Sequence, residues 1–204
     1  MRQFDVIVVG KGNAALCAAL SAGERGARVA MLEAASMDES GGNSRFAGGV
    51  MRFAYDSVAD LRLLTEITDE EAKSTDWESN TKDQFYDDLY HVTSYRTDPD
   101  LSEALITKSL EAMVWLRSQG ARFVPNYRHQ SAIVAGTRKF FGRIPLLASG
   151  GGTGPGAILL QLPGRRRAGL RRGVRHDRRD RGRRCRARGV NAHVLKRDVV
   201  RRDR

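Results

Sequence analysis

The run Phe4-Asp-Val-Ile-Val-Val9 is short, β-branched and stopped by Gly10, which is the pattern of a strand buried in a parallel sheet. A glycine turn follows, Gly10-Lys-Gly-Asn-Ala-Ala15. Residues 14–22 are then apolar on nearly every side, as in a helix packed against a sheet. Gly23 to Gly26 ends that helix, and residues 28–33 read as a second strand. Strand, helix and strand within about 30 residues make a βαβ unit whose crossover is expected to be right-handed.

Beyond it the period changes. Residues 38–50 are rich in Gly, Ser and Asn and read as a loop or the start of a second helix. Residues 60–68 and 81–92 carry helical spacing. A firmer helix opens at Asp98, a predicted N-cap with Pro99 at the first helical position. Its apolar positions Leu101, Leu105, Met113 and Leu116 keep the helical period, and Gly120 ends it. Phe123-Val, residues 131–134 and residues 138–141 predict short strands, with Gly136 in a turn.

Charge divides the chain. Up to Gly154 there are 17 Lys and Arg against 20 Asp and Glu, a net charge of −3, and all 14 aromatic residues lie in this part. From Pro155 onward there are 18 against 4, a net of +14, so the overall +11 describes the end of the chain and not its body. The two cysteines, Cys17 and Cys185, are too few for a disulfide framework, and Cys17 is expected to be a buried, inert thiol. No run approaches the roughly 20 apolar residues of a membrane span. With no signal peptide evident, a cytoplasmic location is expected.

The glycine turn has a chemical reading because of what surrounds it. Gly10 allows a tight turn at the strand end, and Gly12 lets backbone N–H groups approach a pyrophosphate. Ala15 takes the third small position, where a bulkier side chain would push the helix off the sheet. The helix N-terminus presents unpaired N–H groups and a partial positive charge to phosphate. Glu33 ends the next strand 23 residues after Gly10, where a carboxylate accepts from a ribose diol and repels a 2′-phosphate, which disfavours NADP. The turn alone does not separate FAD from NAD. The next segment, Gly41-Gly-Asn-Ser-Arg-Phe-Ala-Gly-Gly49, favours FAD: its glycine pairs let backbone lie against a flat ring or a diphosphate, and Asn43 and Ser44 can donate to phosphate or flavin heteroatoms.

On Val9-Gly-Lys-Gly-Asn-Ala-Ala-Leu16, Glu33 and the 41–49 segment, the chain resembles the flavoprotein subunits of the fumarate reductase and succinate dehydrogenase superfamily. Within it, Gly12-Asn-Ala-Ala-Leu-Cys-Ala-Ala-Leu20 and Met113-Val-Trp-Leu-Arg-Ser-Gln-Gly-Ala-Arg-Phe123 are most similar to FAD-dependent tricarballylate dehydrogenases. The resemblance covers residues 3–154. It implies FAD lying across Gly10, Gly12, Ala15, Glu33, Gly42, Asn43, Ser44 and Gly49, and hydride exchange with a carbon beside a carboxylate in a small polycarboxylate such as tricarballylate. A fumarate reductase or a 3-ketosteroid dehydrogenase is the alternative within the superfamily. The resemblance also implies a membrane-bound electron-transfer protein to reoxidise the flavin. Carboxylate clamps and the proton-transferring arginine come from later parts of such proteins, so no catalytic residue is assigned. Respiratory members attach FAD through a histidine in the segment matching residues 43–49; there is none here, so the cofactor is expected to be non-covalent.

The fold class expected is α/β: an incomplete FAD-binding Rossmann-like domain with a helical insertion over residues 1–154, then a basic tail over 155–204 without fixed structure. His91 and His129 are expected at the surface or satisfied in the core, the basic run Arg138-Lys-Phe-Phe-Gly-Arg143 as a solvated cluster, and Asp69-Glu-Glu71 as a solvated surface. The tail's arginines could neutralise nucleic-acid phosphates, but the tail has no aromatic residue to stack on bases, so no specific nucleic-acid partner is expected. Its 17 arginines to one lysine suggest a GC-rich gene read out of frame, and a 204-residue product without turnover.

Overall fold

The computed structural model describes residues 3–36 and 39–149, together with the backbone of residues 191–194. These residues form two compact units, one holding the chain up to Ala47 with the strand at 191–194, the other beginning at Gly48.

In the first unit, β1 (Val6–Val9) and β2 (Val29–Glu33) pair in parallel, with Val6 opposite Val29 and Val9 opposite Leu32. The crossover between them is α1 (Asn13–Glu24), which buries Leu16 and Ala19 and runs on through Gly23. Asp5 pins the entry to both strands: its carboxylate accepts from the Arg28 backbone N–H, Nε and Nη2 at 2.8–3.0 Å. The second strand is almost wholly buried. The first, expected to be buried, is not, for Ile7 and Val9 are 62% and 79% exposed. Alternate residues of a strand point to opposite faces, and among the described residues this face of β1 is left uncovered.

Of the arginine-rich tail the structure describes residues 191–194, which depart from the expected lack of fixed structure. Strand β8 (Asn191–Val194) pairs antiparallel with β2, setting the sheet order β1-β2-β8. The physical reason is local: Gly189-Val-Asn-Ala-His-Val-Leu195 carries no charge, so pairing it brings no like charges together. The charge break at residue 155 lies outside the described residues.

The second unit contains α2 (Val58–Arg62), α3 (Asp69–Ser74), α4 (Lys82–Val92) and α5 (Pro99–Ser118). Strands β3 (Thr75–Asp76), β5 (Ser131–Val134) and β6 (Thr137–Phe140) form a sheet in the order β3-β6-β5, and β4 (Phe123–Pro125) pairs with β7 (Leu146–Ala148). The helix predicted over 60–68 is replaced by α2 and α3, each opened by its own capping box, Ser57 with Asp60 and Thr68 with Glu71. The acidic run 69–71 is therefore a helix start, where carboxylates meet unpaired N–H groups, and Asp69 also pairs with Arg62 at 2.6 Å. Thr81 and Gln84 close a third capping box on α4, and Asp98 caps α5 with Pro99 behind it, as predicted.

The buried face of α5 differs from the predicted stripe. Leu101 and Leu105 are 70% and 52% exposed, while Ser102, Ile106, Ser109, Met113 and Leu116 face inward. Two serines occupy that face because each satisfies its hydroxyl on the helix itself, Ser102 on the Asp98 carbonyl and Ser109 on the Ile106 carbonyl. Ser109 also accepts from the Ala54 backbone N–H at 2.8 Å, which ties the 53–55 segment to the helix.

Candidate dinucleotide site

The turn joining β1 to α1 has the form that a diphosphate-binding loop requires. Gly10 sits at φ +102°, a region closed to most side chains, and its N–H donates to the Leu32 carbonyl at 2.7 Å. Ala15 meets it closely: a Cβ built on Gly10 would lie 3.9 Å from the Ala15 Cβ, so the third small residue keeps the helix near the turn.

Gly12 is the N-cap of α1 and is extended, with φ −75° and ψ 177°. Any residue can adopt that backbone, so conformation does not require glycine here. A Cβ there would stand 3.5 Å from Ser44 Oγ and 3.6 Å from the Gly41 carbonyl, in the opening between the two glycine-rich loops. That opening at a helix N-terminus is a cradle a side chain would fill, and it fits the diphosphate of a dinucleotide.

The second loop is brought onto the first. Gly41 and Gly42 are both left-handed, and Gly42–Phe46 is one 3₁₀ turn. Ser44 Oγ accepts from the Asn13 backbone N–H at 3.0 Å, so Ser44 caps α1 in place of the side chain that Gly12 lacks. Accepting there leaves the hydroxyl its own proton to give. Asn43 is exposed.

Glu33 is buried at the end of β2, and its Oε1 accepts from the Ala35 N–H at 2.9 Å, which fixes the carboxylate at the strand end. Seven of the eight residues read from the sequence thus fall in the first unit: Gly10, Gly12, Ala15, Glu33, Gly42, Asn43 and Ser44. Gly49, at φ +79°, belongs to the second unit, where its carbonyl accepts from the Ala148 N–H at 2.8 Å.

Two residues of this site escaped the sequence reading. Lys11, 4% exposed, donates from Nζ to Ser40 Oγ at 3.2 Å, and Ser40 is 1% exposed. Burial pushes the Lys11 ammonium pKa down, while the charge of Glu33 opposes that shift. A lysine between two glycines reads from sequence as a solvated turn residue, and only its burial reveals otherwise. Cys17 is half-buried, and burial raises its thiol pKa, in keeping with an unreactive thiol.

The remaining candidates lie in the second unit. His91 and His129 are exposed. The basic run 138–143 is not simply solvated. Arg138 stacks 4.9 Å over the Tyr127 ring and donates to Ser131 Oγ, and Arg143 donates to Asp88 at 2.6 Å. Arg52 reaches the same Asp88 carboxylate, donates to Asn80 Oδ1 at 3.0 Å and lies over the Phe85 ring. This network joins the segment after Gly49 to α4. Both arginines hold the Asp88 carboxyl below the usual carboxylate range, Arg52 most strongly.

Comparison with known proteins agrees with this geometry. The chain is 30% identical over 117 residues to a fumarate reductase (cytochrome) of Shewanella frigidimarina, covering 57% of this chain and 18% of the relative. It is 29% identical over 121 residues to a vinyl phenol reductase of Lactiplantibacillus plantarum, covering 59% of this chain and 21% of the relative. The chain therefore spans about a fifth of the length of the curated relatives it matches. The FAD binding domain family matches residues 5–184, past the change in composition at residue 155. Together with the glycine cradle and the acid at the end of β2, that match makes the chain a member of the FAD binding domain family, that of the fumarate reductase and succinate dehydrogenase flavoproteins.

Proposed function

We propose that this chain is the FAD-binding part of an oxidoreductase acting on a carbon–carbon bond beside a carboxylate, in a small polycarboxylate such as tricarballylate. The observation that carries the cofactor reading is the cradle at Gly12, closed by Ser44 and backed by Glu33. The substrate class rests on the resemblance at residues 12–20 and 113–123 and on the fumarate reductase relatives.

When bound, FAD supplies hydride transfer. The residues of the chain prepare for it. Gly10 and Gly12 bring backbone N–H groups to the diphosphate, the N-terminus of α1 offsets its charge, and Glu33 accepts from the ribose hydroxyls. No residue here is assigned to hold the substrate's carboxylates or to move its proton. Reoxidation by a membrane-bound electron-transfer protein and a cytoplasmic location belong to the same proposal. Among the described residues no helix is long and apolar enough to cross a membrane.

The vinyl phenol reductase relative favours a second reading, reduction of a carbon–carbon double bond that bears no carboxylate. Anaerobic titration of the FAD-loaded chain separates the two. Bleaching of the oxidised flavin band by tricarballylate, or reoxidation of dithionite-reduced flavin by fumarate, supports the polycarboxylate reading. It would also overturn the inactivity expected from the tail. Reoxidation by a vinyl phenol and not by fumarate would replace the first reading with the second.

A further inference from the structure

Lysine is seldom buried. Its long stem ordinarily carries the ammonium to water, and removing that charge from solvent is costly unless partners receive it. A tight turn between two glycines needs no lysine for its conformation. Yet Lys11 is 4% exposed, with Nζ 3.2 Å from Ser40 Oγ and close enough to Glu33 for its charge to be felt. The ammonium joins two segments distant in sequence, the β1–α1 turn and the residue just before the loop that opens at Gly41.

We infer that Lys11 is a positioning residue for FAD: its buried ammonium holds Ser40, and with it the Gly41–Gly42 loop, against the β1–α1 turn. This rests on the reading of the first unit as the FAD site. Ser40 directly precedes the two left-handed glycines, so anchoring it fixes where their backbone begins. That effect acts on the adenosine diphosphate half of the cofactor.

The test uses the full chain with Lys11→Met, which keeps the apolar stem and removes the charge, and Lys11→Arg, which keeps the charge. FAD affinity is read from quenching of flavin fluorescence, ADP affinity from displacement of FAD, and ligand-free stability from thermal unfolding followed by circular dichroism. The expected result is a loss of about tenfold in affinity for both FAD and ADP in Lys11→Met. Lys11→Arg should recover most of it, and ligand-free unfolding in Lys11→Met should come no earlier than in the parent. Equal affinity of Lys11→Met and the parent overturns the inference. So does a loss matched by earlier ligand-free unfolding and not recovered by arginine, which would make Lys11 a purely structural residue. Failure of the parent chain itself to bind FAD overturns the cofactor reading beneath the inference, and is seen before any variant is compared.

Discussion

Replacing Glu33 with alanine should weaken FAD binding by about 10- to 100-fold. The carboxylate is buried at the end of β2 and already oriented, because Oε1 accepts from the Ala35 N–H at 2.9 Å. A preoriented anion accepting from ribose hydroxyls forms charge-assisted hydrogen bonds, each worth about 1.5–3 kcal/mol. One or two such bonds correspond to at least a tenfold change, since 1.4 kcal/mol is a factor of ten. The upper end is held down because water enters the gap left by the shorter side chain and serves the ribose in part. Glu33→Gln keeps an acceptor of the same reach without the charge and should fall between parent and alanine variant. Fluorescence quenching titrations of FAD against the three chains measure this order directly. The Ala35 N–H also loses its acceptor in Glu33→Ala, so ligand-free unfolding must be measured alongside to separate a loosened strand end from a lost ribose contact. If Glu33→Ala binds FAD as tightly as the parent, the carboxylate does not meet the ribose and the assignment of the β2 end is wrong.

Three further outcomes are expected. Acid precipitation of the FAD-loaded chain should leave a colourless pellet and a yellow supernatant, because no histidine lies between Gly41 and Gly49; flavin fluorescence retained on a denaturing gel would contradict this. Ile106→Ala should cost the second unit about 2–5 kcal/mol, since Ile106 is wholly buried against Ala54 and Phe85. Trp77 and Trp115, the two tryptophans of the chain, both lie in that unit, so their fluorescence reports its unfolding, and an unchanged midpoint would refute the packing. The Asp88 carboxyl is held below its ordinary range by Arg52 and then Arg143, so its contribution is present above the unfolded value near pH 4 and lost as pH falls through the lower folded value. Its side chain is 37% exposed, so the contribution is about 1 kcal/mol after screening. Asp88→Asn should flatten the acid limb of the tryptophan-monitored stability curve, and superimposable limbs would refute the network.

What the sequence revealed was local chemistry. The start of α5 was legible because a cap is a contact between neighbours in the chain, Asp98 with Leu101. The glycine turn was legible for the same reason, since a strand end, a φ near +100° and a helix start occupy consecutive residues. What stayed hidden depends on distant partners. Hydrophobic spacing placed Leu101 and Leu105 inside, but the inward face of α5 carries Ser102 and Ser109, whose small hydroxyls are satisfied on the helix and let the 53–55 segment approach. The Lys11–Ser40 contact joins residues 29 apart, and the Arg52–Asp88 contact residues 36 apart. Neither spacing is a sequence motif. The tail's cationic composition likewise concealed the strand at Asn191–Val194 that pairs with β2.

The two glycine-rich loops are best understood as one device. A helix that begins on glycine forgoes the side-chain cap that would ordinarily satisfy its first N–H groups. A side chain at Gly12 would extend into the opening beside Ser44 and Gly41, where the diphosphate is proposed to lie. The missing acceptor comes instead from Ser44, 31 residues beyond Asn13, so the start of α1 is complete only when the second loop is seated. Lys11 acts from the other side of the same turn, holding Ser40 just ahead of the paired glycines. The second loop is thus gripped at both ends by residues of the first motif, and the backbone between the grips, Gly41 to Asn43, has no side chain tethered among these contacts. A ligand arriving at the helix N-terminus meets backbone held in place on two sides, and the cost of ordering that loop falls on folding and not on binding. Weakening the Lys11 grip should therefore reduce cofactor affinity without removing a group assigned to touch the cofactor.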